Sequence, residues 1–276
     1  MGWTEQIGKR LSYFVIPEWT KSGVEVGFST RGNGKGKPPF DSLNLGLHVG
    51  DDSKTVRANR SLWLEEWDAG WDDAVIGEQV HGNRVEWIDS NSGGRGSQEL
   101  GTAVPGVDGL ITGDPVALMA FFADCVPLFF YHPDLKVVGL AHAGWRGTVG
   151  KIGANVVEQI NAAGGKAEDL LAGIGPAIGS CCYQVDRHVA DQVIHSLGKG
   201  PWLRIDQDVP DHFRLDLAQA NQQILLQAGV KAENIWPAHL CTACHPQRFF
   251  SYRRDGQASG RMAGWIRIKD KEVKDG

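Results

Sequence analysis

In Val137-Val-Gly-Leu-Ala-His-Ala-Gly-Trp-Arg-Gly147 an apolar run passes through an imidazole into a glycine-flanked turn that carries an indole and a guanidinium. Val137, Val138, Leu140 and Ala141 read as a buried strand, and Thr148 to Ala162 reads as a helix beginning just after Gly147. The turn then lies between a strand end and a helix start, where unpaired backbone N–H groups and the helix dipole draw anions and ligands. His142, Trp145 and Arg146 are thereby expected on one wall of an active site.

Outward from this segment the apolar pattern continues on both sides. Gly109-Leu-Ile, Leu118 to Ala123 and Val126 to Tyr131 read as strands, the last two interrupted by Asp124-Cys125. Ala74 to Ile88 reads as strand, turn and strand, with the turn at Glu78-Gln-Val-His-Gly-Asn83. Asp52 to Trp67 has helical spacing, with Val56, Leu62, Trp63 and Trp67 able to face inward. Arg31-Gly-Asn-Gly-Lys-Gly-Lys37 lacks a Walker pattern and reads as a solvated hairpin tip. Downstream, Leu170 to Ile174 reads as a buried strand, and Asp216 to Ala228 as a helix capped by Asp216 and stopped by Gly229. Phe249-Phe-Ser-Tyr252 and Gly264-Trp-Ile-Arg-Ile268 supply late strands. Strands that come both in hairpin-like pairs and beside helices predict a mixed α+β fold rather than a regularly alternating parallel sheet.

With 276 residues, 42% of them hydrophobic, the chain can bury a large core without disulfides or metal staples, as a soluble globular protein. No linker, charge block or repeat marks a seam, so one domain is expected over 1–276. The 36 glycines are nearly twice average usage and fall in short turns, which predicts many tight connections. A net charge of -5, with basic residues scattered except for Arg253-Arg254 and a lysine-bearing tail, argues against nucleic acid as a partner. No apolar stretch reaches membrane-spanning length, and Met1-Gly-Trp-Thr-Glu-Gln6 shows neither a signal-peptide nor a myristoylation pattern, so a cytoplasmic location is expected. Five cysteines, two of them adjacent at Cys181-Cys182, fit free or metal-bound thiols in a reducing compartment. Tryptophans between Trp63 and Trp71 are expected to leave aromatic surface on which the chain could self-associate.

His81, Cys125 and His142 are each the one metal-capable side chain in an apolar or glycine-rich segment, and each lies at an expected strand end. A set of two histidines and one cysteine leaves the fourth position of a tetrahedral zinc open to water or substrate, as catalytic sites do. Read singly, such residues are more often hydrogen-bonded turn histidines or small buried thiols. Cys241-Thr-Ala-Cys-His245 matches the C-x-x-C-H of covalent haem attachment, but that chemistry belongs to exported proteins with a second axial ligand. Two reduced thiols beside a strand is the simpler reading, with a zinc site completed by Cys181-Cys182 or a redox pair as alternatives. Arg146 suits recognition of a phosphate or carboxylate, against a surface ion pair. Asp124 is placed to hydrogen-bond a metal ligand, pass protons or cap a helix. Asn44 is a candidate substrate contact, or an asparagine turn. Arg253, Arg254 and Arg261 read as solvated charges.

The ordered set Ser42-Leu-Asn-Leu-Gly46, Gln79-Val-His-Gly82, Ala123-Asp-Cys-Val-Pro-Leu128, Ala141-His-Ala-Gly-Trp-Arg-Gly147, Gly173-Ile-Gly-Pro-Ala-Ile-Gly179 with Cys181-Cys182-Tyr183, and Phe249-Phe-Ser-Tyr-Arg-Arg254 resembles the YfiH/YlmD family over nearly the whole chain. That family carries three labels: laccase-domain or multicopper polyphenol oxidase, peptidoglycan editing factor, and purine nucleoside phosphorylase. The resemblance implies a single-domain α/β/β/α layered fold with mixed sheets. It also implies one zinc held by His81, Cys125 and His142; Asp124 as a further catalytic residue and Asn44 and Arg146 as substrate contacts are expected from the residues themselves. The implied activity is phosphorolysis of adenosine, inosine, guanosine and methylthioadenosine, together with deamination of adenosine. An open-site zinc lowers the pKa of water toward ~7, as removal of ammonia at C6 of adenine requires. Without an H-x-E and P-C-x-x-C pair, Asp124 or Glu78 has to move the proton. Two departures touch the late loop: Ala-Ser stands in Gly256-Gln-Ala-Ser-Gly-Arg261 where a threonine is expected, and Tyr252 replaces a frequent histidine.

Three other activities use the same residues. A copper phenol oxidase needs paired H-x-H clusters, which the nine histidines never form. A cysteine hydrolase acting on peptidoglycan precursors would use Cys125 as nucleophile and His142 as base. A non-catalytic zinc-dependent scaffold is the third.

Overall fold

The computed structural model describes residues 2–269; Met1 and the lysine-bearing tail lie outside the described residues. Two six-stranded mixed sheets stack face to face. The first orders Thr4–Ile7, Ser12–Val15, Val24–Ser29, Met262–Ile268, Ala117–Phe122 and Ala74–Ile76, antiparallel except for the last pair. The second orders Ile235–Pro237, Leu171–Ile174, Val126–His132, Val137–Ala143, Gly109–Thr112 and Val85–Trp87, with parallel pairs at both edges. A small antiparallel sheet of Gln184–Asp186, His212–Leu215 and Leu203–Ile205 lies apart from both.

Alternation along each strand explains the layering, because successive side chains point to opposite faces. From Ala117–Phe122, Leu118, Ala120 and Phe122 join the core between the sheets, together with Phe129, Tyr131, Val138 and Leu140 of the second sheet. Ala117, Met119 and Phe121 face outward against Leu62, Trp63 and Trp67. On the far side, Val126, Leu128, Phe130, Ala141 and Ala143 meet Ile152, Val156, Ile160 and Leu217. The result is helix, sheet, sheet, helix, the expected α/β/β/α order. Gly264 sits where Phe129 and Phe122 cross between the sheets; a Cβ there would lie 3.0 Å from Phe129 and 3.1 Å from Phe122.

The outer helix is Ser53–Glu66, capped by Asp52, whose carboxylate accepts from Thr55 N at 2.9 Å. Trp63 and Trp67 are buried beneath it, so the exposed aromatic surface expected there is absent. Arg60 is buried with them, donating to the carbonyls of Leu45, Gly96 and Ser97. Asp216 caps Leu217–Gln227 through Gln219 N, and Gly229 leaves that helix at φ +97°.

Four expectations are corrected. The helix after His142 starts earlier and is broken: Trp145–Val149 and Ile152–Ala162 flank Lys151, which sits in left-handed backbone at φ +56°. The strands Ala74–Ile76 and Val85–Trp87 belong to different sheets, so the segment between them crosses the sandwich instead of closing a hairpin. Phe249 and Phe250 are buried outside any strand, and Tyr252–Asp255 is a short helix capped by Ser251. The Arg31–Lys37 loop is exposed at Asn33, Lys35 and Lys37, as expected, but it is no hairpin tip: the next element is the helix Ser53–Glu66, and Lys35 N donates to Asn59 Oδ1 at 2.7 Å and Gly36 N to the Ser42 carbonyl at 2.8 Å.

Candidate metal centre

The chain passes from the first sheet to the second twice, at Gly77 to Arg84 and at Ala123 to Cys125. Both crossings lie at the end of the sandwich where Val137–Ala143 brings His142 to the inter-sheet face. His81 rides on the first crossing and Cys125 on the second. Their ligand atoms and that of His142 all lie within 4.8 Å of one another, so three separate segments converge as expected.

One carboxylate organises two of the three ligands. Val80, His81 and Gly82 N–H groups donate to Asp108 at 3.1, 3.0 and 2.7 Å, clamping a turn in which His81 has φ +59°. Asp108 Oδ1 also accepts from His142 Nδ1 at 2.8 Å. A carboxylate can only accept here, so the proton sits on Nδ1 and Nε2 keeps its lone pair for an ion. Left-handed backbone at a non-glycine residue costs about 1–2 kcal/mol. The three backbone N–H hydrogen bonds to Asp108 offset that cost. Asp108 was missed in the sequence; its signal is a lone acid, in Val107-Asp-Gly109, at the head of an apolar strand.

The second crossing is built the same way. Asp124 has φ +90°, and its buried carboxylate accepts from Thr242 Oγ1 at 2.6 Å, Ser251 Oγ at 3.0 Å and Arg253 N at 2.7 Å. Both oxygens are thus engaged by protein donors. Gln79 ties the first crossing to the strand that feeds the second, donating to the Phe121 carbonyl and accepting from its N–H, each at 2.8 Å. Gly144 leaves room for the cluster, since a Cβ there would lie 3.1 Å from Cys125 Sγ and 3.2 Å from His81 Cδ2.

The electrostatics favour an ionised thiol. Burial by itself would raise Cys125, but the charge and hydrogen bond of His142, then those of His81, outweigh it and hold the thiol well below its ordinary value. For His142, burial by itself would lower the pKa, yet the facing Cys125 and Asp108 raise it. Asp108 also feels burial first, which would raise it; the His142 hydrogen bond and charge and the Gly82 and Val80 amides hold it below the usual carboxylate range. Two nitrogens and one thiolate form a borderline-soft donor set able to hold a transition-metal ion, with the carboxylate behind one imidazole fixing its tautomer.

The open side of the cluster faces a cavity of about 820 Å³, within the ~300–1,000 Å³ of small-molecule sites. Arg146 lines it, exposed, stacked 4.3 Å above the Trp145 ring and without a carboxylate partner among the described residues. Arg253 and Arg261 line it too: Arg253 is exposed, as expected of a solvated charge, and donates to the Gln184 carbonyl at 2.6 Å, whereas Arg261 is half-buried and donates to the Ser259 and Gly260 carbonyls, a correction to its reading as a solvated charge. Glu78 borders the cavity with one oxygen taken by Gly106 N at 2.9 Å. His48, also missed, stands at the same wall with its pKa pushed down to about 4 by burial and then by the Arg261 charge. Asn44 does not reach the cavity. It is fully buried, its amide engaged by Asp51, Gly46 and Arg261 N, and it ties down the loop that carries Arg261.

A second thiol cluster lies outside this cavity: Cys181, Cys182, Cys241 and Cys244 have sulfurs within 4.8 Å of one another. Cys241 and Cys244 are free thiols, as expected, and they gather with Cys181 and Cys182 as the alternative reading had it. No helix among the described residues is long and apolar enough to cross a membrane.

Comparison with known proteins agrees with the geometry. A family model described as multi-copper polyphenol oxidoreductase laccase matches residues 25–269. Purine nucleoside phosphorylase YlmD of Geobacillus stearothermophilus is 44% identical over 256 residues, covering 89% of this chain and 90% of that protein. Adenosine deaminase RL5, from an unknown prokaryotic organism, is 34% identical, with 87% and 92% covered. The crystal structure of YlmD from Geobacillus stearothermophilus superposes with a TM-score of 0.91 at 40% identity, covering 96% of this chain and 99% of that one.

Proposed function

Because this chain belongs to the YfiH/YlmD family, which the multi-copper polyphenol oxidoreductase laccase model describes, we propose that it is a zinc-dependent purine nucleoside phosphorylase that also deaminates adenosine. The observation that carries this reading is the His81, Cys125 and His142 cluster opening onto a cavity lined by Arg146. The relatives' names supply the substrate class, purine nucleosides for phosphorolysis and adenosine for deamination; within it we assign adenosine, inosine, guanosine and methylthioadenosine, with phosphate as co-substrate.

His81, Cys125 and His142 would hold the zinc, which supplies Lewis-acid and water-activating chemistry at its open position. Asp108 holds the His142 tautomer and the turn that carries His81. Arg146 binds phosphate through its guanidinium, with Arg253 and Arg261 adding positive potential to the same cavity. In phosphorolysis a phosphate oxygen bonds to C1′ as the bond from C1′ to the purine nitrogen breaks, and the departing base takes a proton. Glu78 is the group we assign to that proton, because one of its oxygens is free at the cavity edge. Asp124, the other candidate carrier, is assigned the positioning of Cys125 and Arg253, since both its oxygens already accept from Thr242, Ser251 and Arg253. Apolar walls at Ile178, Leu217 and Tyr183 suit a purine ring. We further assign the whole chain, 1–276, to one catalytic domain, and the five free cysteines fit a cytoplasmic setting.

Multicopper oxidation is disfavoured by the donors present. Among the described residues the metal-capable clusters are one group of two histidines with a cysteine and one group of four cysteines, whereas four coppers need several histidine clusters. The test is incubation of metal-analysed protein with adenosine and inosine, each with and without phosphate. Free base should appear only with phosphate, and inosine should form from adenosine without it. Stoichiometric copper with oxygen uptake on a phenol and no base release would overturn the reading.

A further inference from the structure

We propose that Cys181, Cys182, Cys241 and Cys244 form a second, structural zinc site, closed by four thiolates and separate from the His81, Cys125 and His142 centre. The spacing of the sulfurs fits this. Zn–S bonds of ~2.3 Å at tetrahedral angles put neighbouring sulfurs about 3.8 Å apart. Here Cys244 Sγ lies 3.5 Å from Cys181 Sγ and 3.4 Å from Cys182 Sγ, and all four sulfurs fall within 4.8 Å. A disulfide would need about 2.0 Å.

The surrounding backbone is arranged for thiolates. Gly179 N donates to Cys241 Sγ at 3.2 Å, and a Cβ at Gly179 would crowd Cys181 Sγ at 3.3 Å and Cys241 Cβ at 3.4 Å. Two guanidiniums, each also paired with a carboxylate (Arg214 with Asp206 and Arg254 with Asp255), brace the backbone around the sulfurs. Arg214 donates to the Cys181 carbonyl at 3.2 Å, while Arg254 donates to the Thr242 and Ala243 carbonyls at 3.3 and 3.2 Å. His245 completes the C-x-x-C-H string but turns away, its Nδ1 donating to the Cys241 carbonyl at 2.8 Å. No fifth protein donor enters among the described residues, and no position is left for substrate, as in structural zinc sites.

The ion would tie two distant stretches that both serve the cavity. One carries Ile178 and Tyr183 on the cavity wall, and the other carries Thr242, which holds Asp124. A zinc there fixes the wall from outside without touching substrate.

The test counts zinc per chain and reads its sulfur coordination by X-ray absorption, on protein purified from zinc-containing medium without chelator. Wild type should hold two zinc ions. The double variant H81A/C125S should retain one, with a four-sulfur shell, and C181S/C244S should retain one with mixed nitrogen and sulfur. If C181S/C244S fails to fold, the H81A/C125S spectrum decides alone. Loss of all zinc from H81A/C125S, a retained ion without four sulfurs, or a native disulfide from Cys244 to Cys181 or Cys182 found by mass spectrometry would each overturn the proposal.

Discussion

Replacing Asp108 by asparagine keeps the shape of the side chain and changes only what it can accept. Oδ1 takes His81 N and His142 Nδ1, and Oδ2 takes Val80 N and Gly82 N, so every partner is a donor. An asparagine amide must turn its NH2 toward one of those two pairs. Facing Val80 and Gly82, it frees the turn that carries His81. Facing His81 and His142, it forces the imidazole proton onto Nε2 and removes a metal-ligating lone pair. The first orientation loses two hydrogen bonds and the second one, the His142 bond being reversed, each ~1.5–3 kcal/mol, so stability should fall by at least about 1.5 kcal/mol. Zinc affinity should drop ~10–100-fold, as when the carboxylate behind a metal-bound histidine is removed. Urea unfolding of the metal-free protein reads the first quantity, and competition with a chromophoric chelator reads the second. Because the carboxyl of folded Asp108 sits below its ordinary value of 3.8, its contribution is complete above that pH and vanishes as pH falls through the lower folded value. Asp108→Asn should therefore also flatten the acid limb of the stability profile. Unfolding midpoint and zinc affinity both within twofold of wild type would refute the role given to this carboxylate.

Arg146→Ala should raise the phosphate KM ~10–100-fold through loss of a charged hydrogen bond, with the unfolding midpoint unmoved because the side chain is exposed and unpaired; unchanged phosphate dependence would remove Arg146 from the site. Gly144→Ala should lower zinc content while far-UV circular dichroism stays native, since its Cβ intrudes on Cys125 and His81 alone; full zinc occupancy would show that the cluster tolerates the methyl. His48 should titrate by NMR below its ordinary 6.5, and Arg261→Gln should raise that midpoint by removing a neighbouring charge; a wild-type midpoint near 6.5 would show that the cavity wall does not perturb this exposed ring.

Uninterrupted apolar runs made the central strands readable, because Ala117–Phe122 and Val126–His132 are buried along their whole length, whereas the layer order came from the family resemblance. The members of the candidate metal cluster stood out for a different reason, each being a lone reactive residue in a bland segment, and the family resemblance joined them into one site. What sequence could not show was which sheet a strand joins. Ala74–Ile76 and Val85–Trp87 are short enough to read as a hairpin, and only the core contacts assign them to opposite sheets. Asn44 misled because a buried asparagine that ties loops together and one that binds substrate carry the same local pattern. Arg253, Arg261 and Asp108 escaped because their importance comes from partners far along the chain, such as Gln184 for Arg253 and His142 for Asp108.

The two crossings between sheets have a consequence for how the protein assembles. His81 and Cys125 sit on connections whose flanking strands belong to opposite halves of the sandwich, so neither half alone can present a gripping set of donors. A nascent chain that has zipped up one half is blind to the ion. Capture becomes a late event that reports on completed closure, and a bound ion in turn rivets the halves at their mouth.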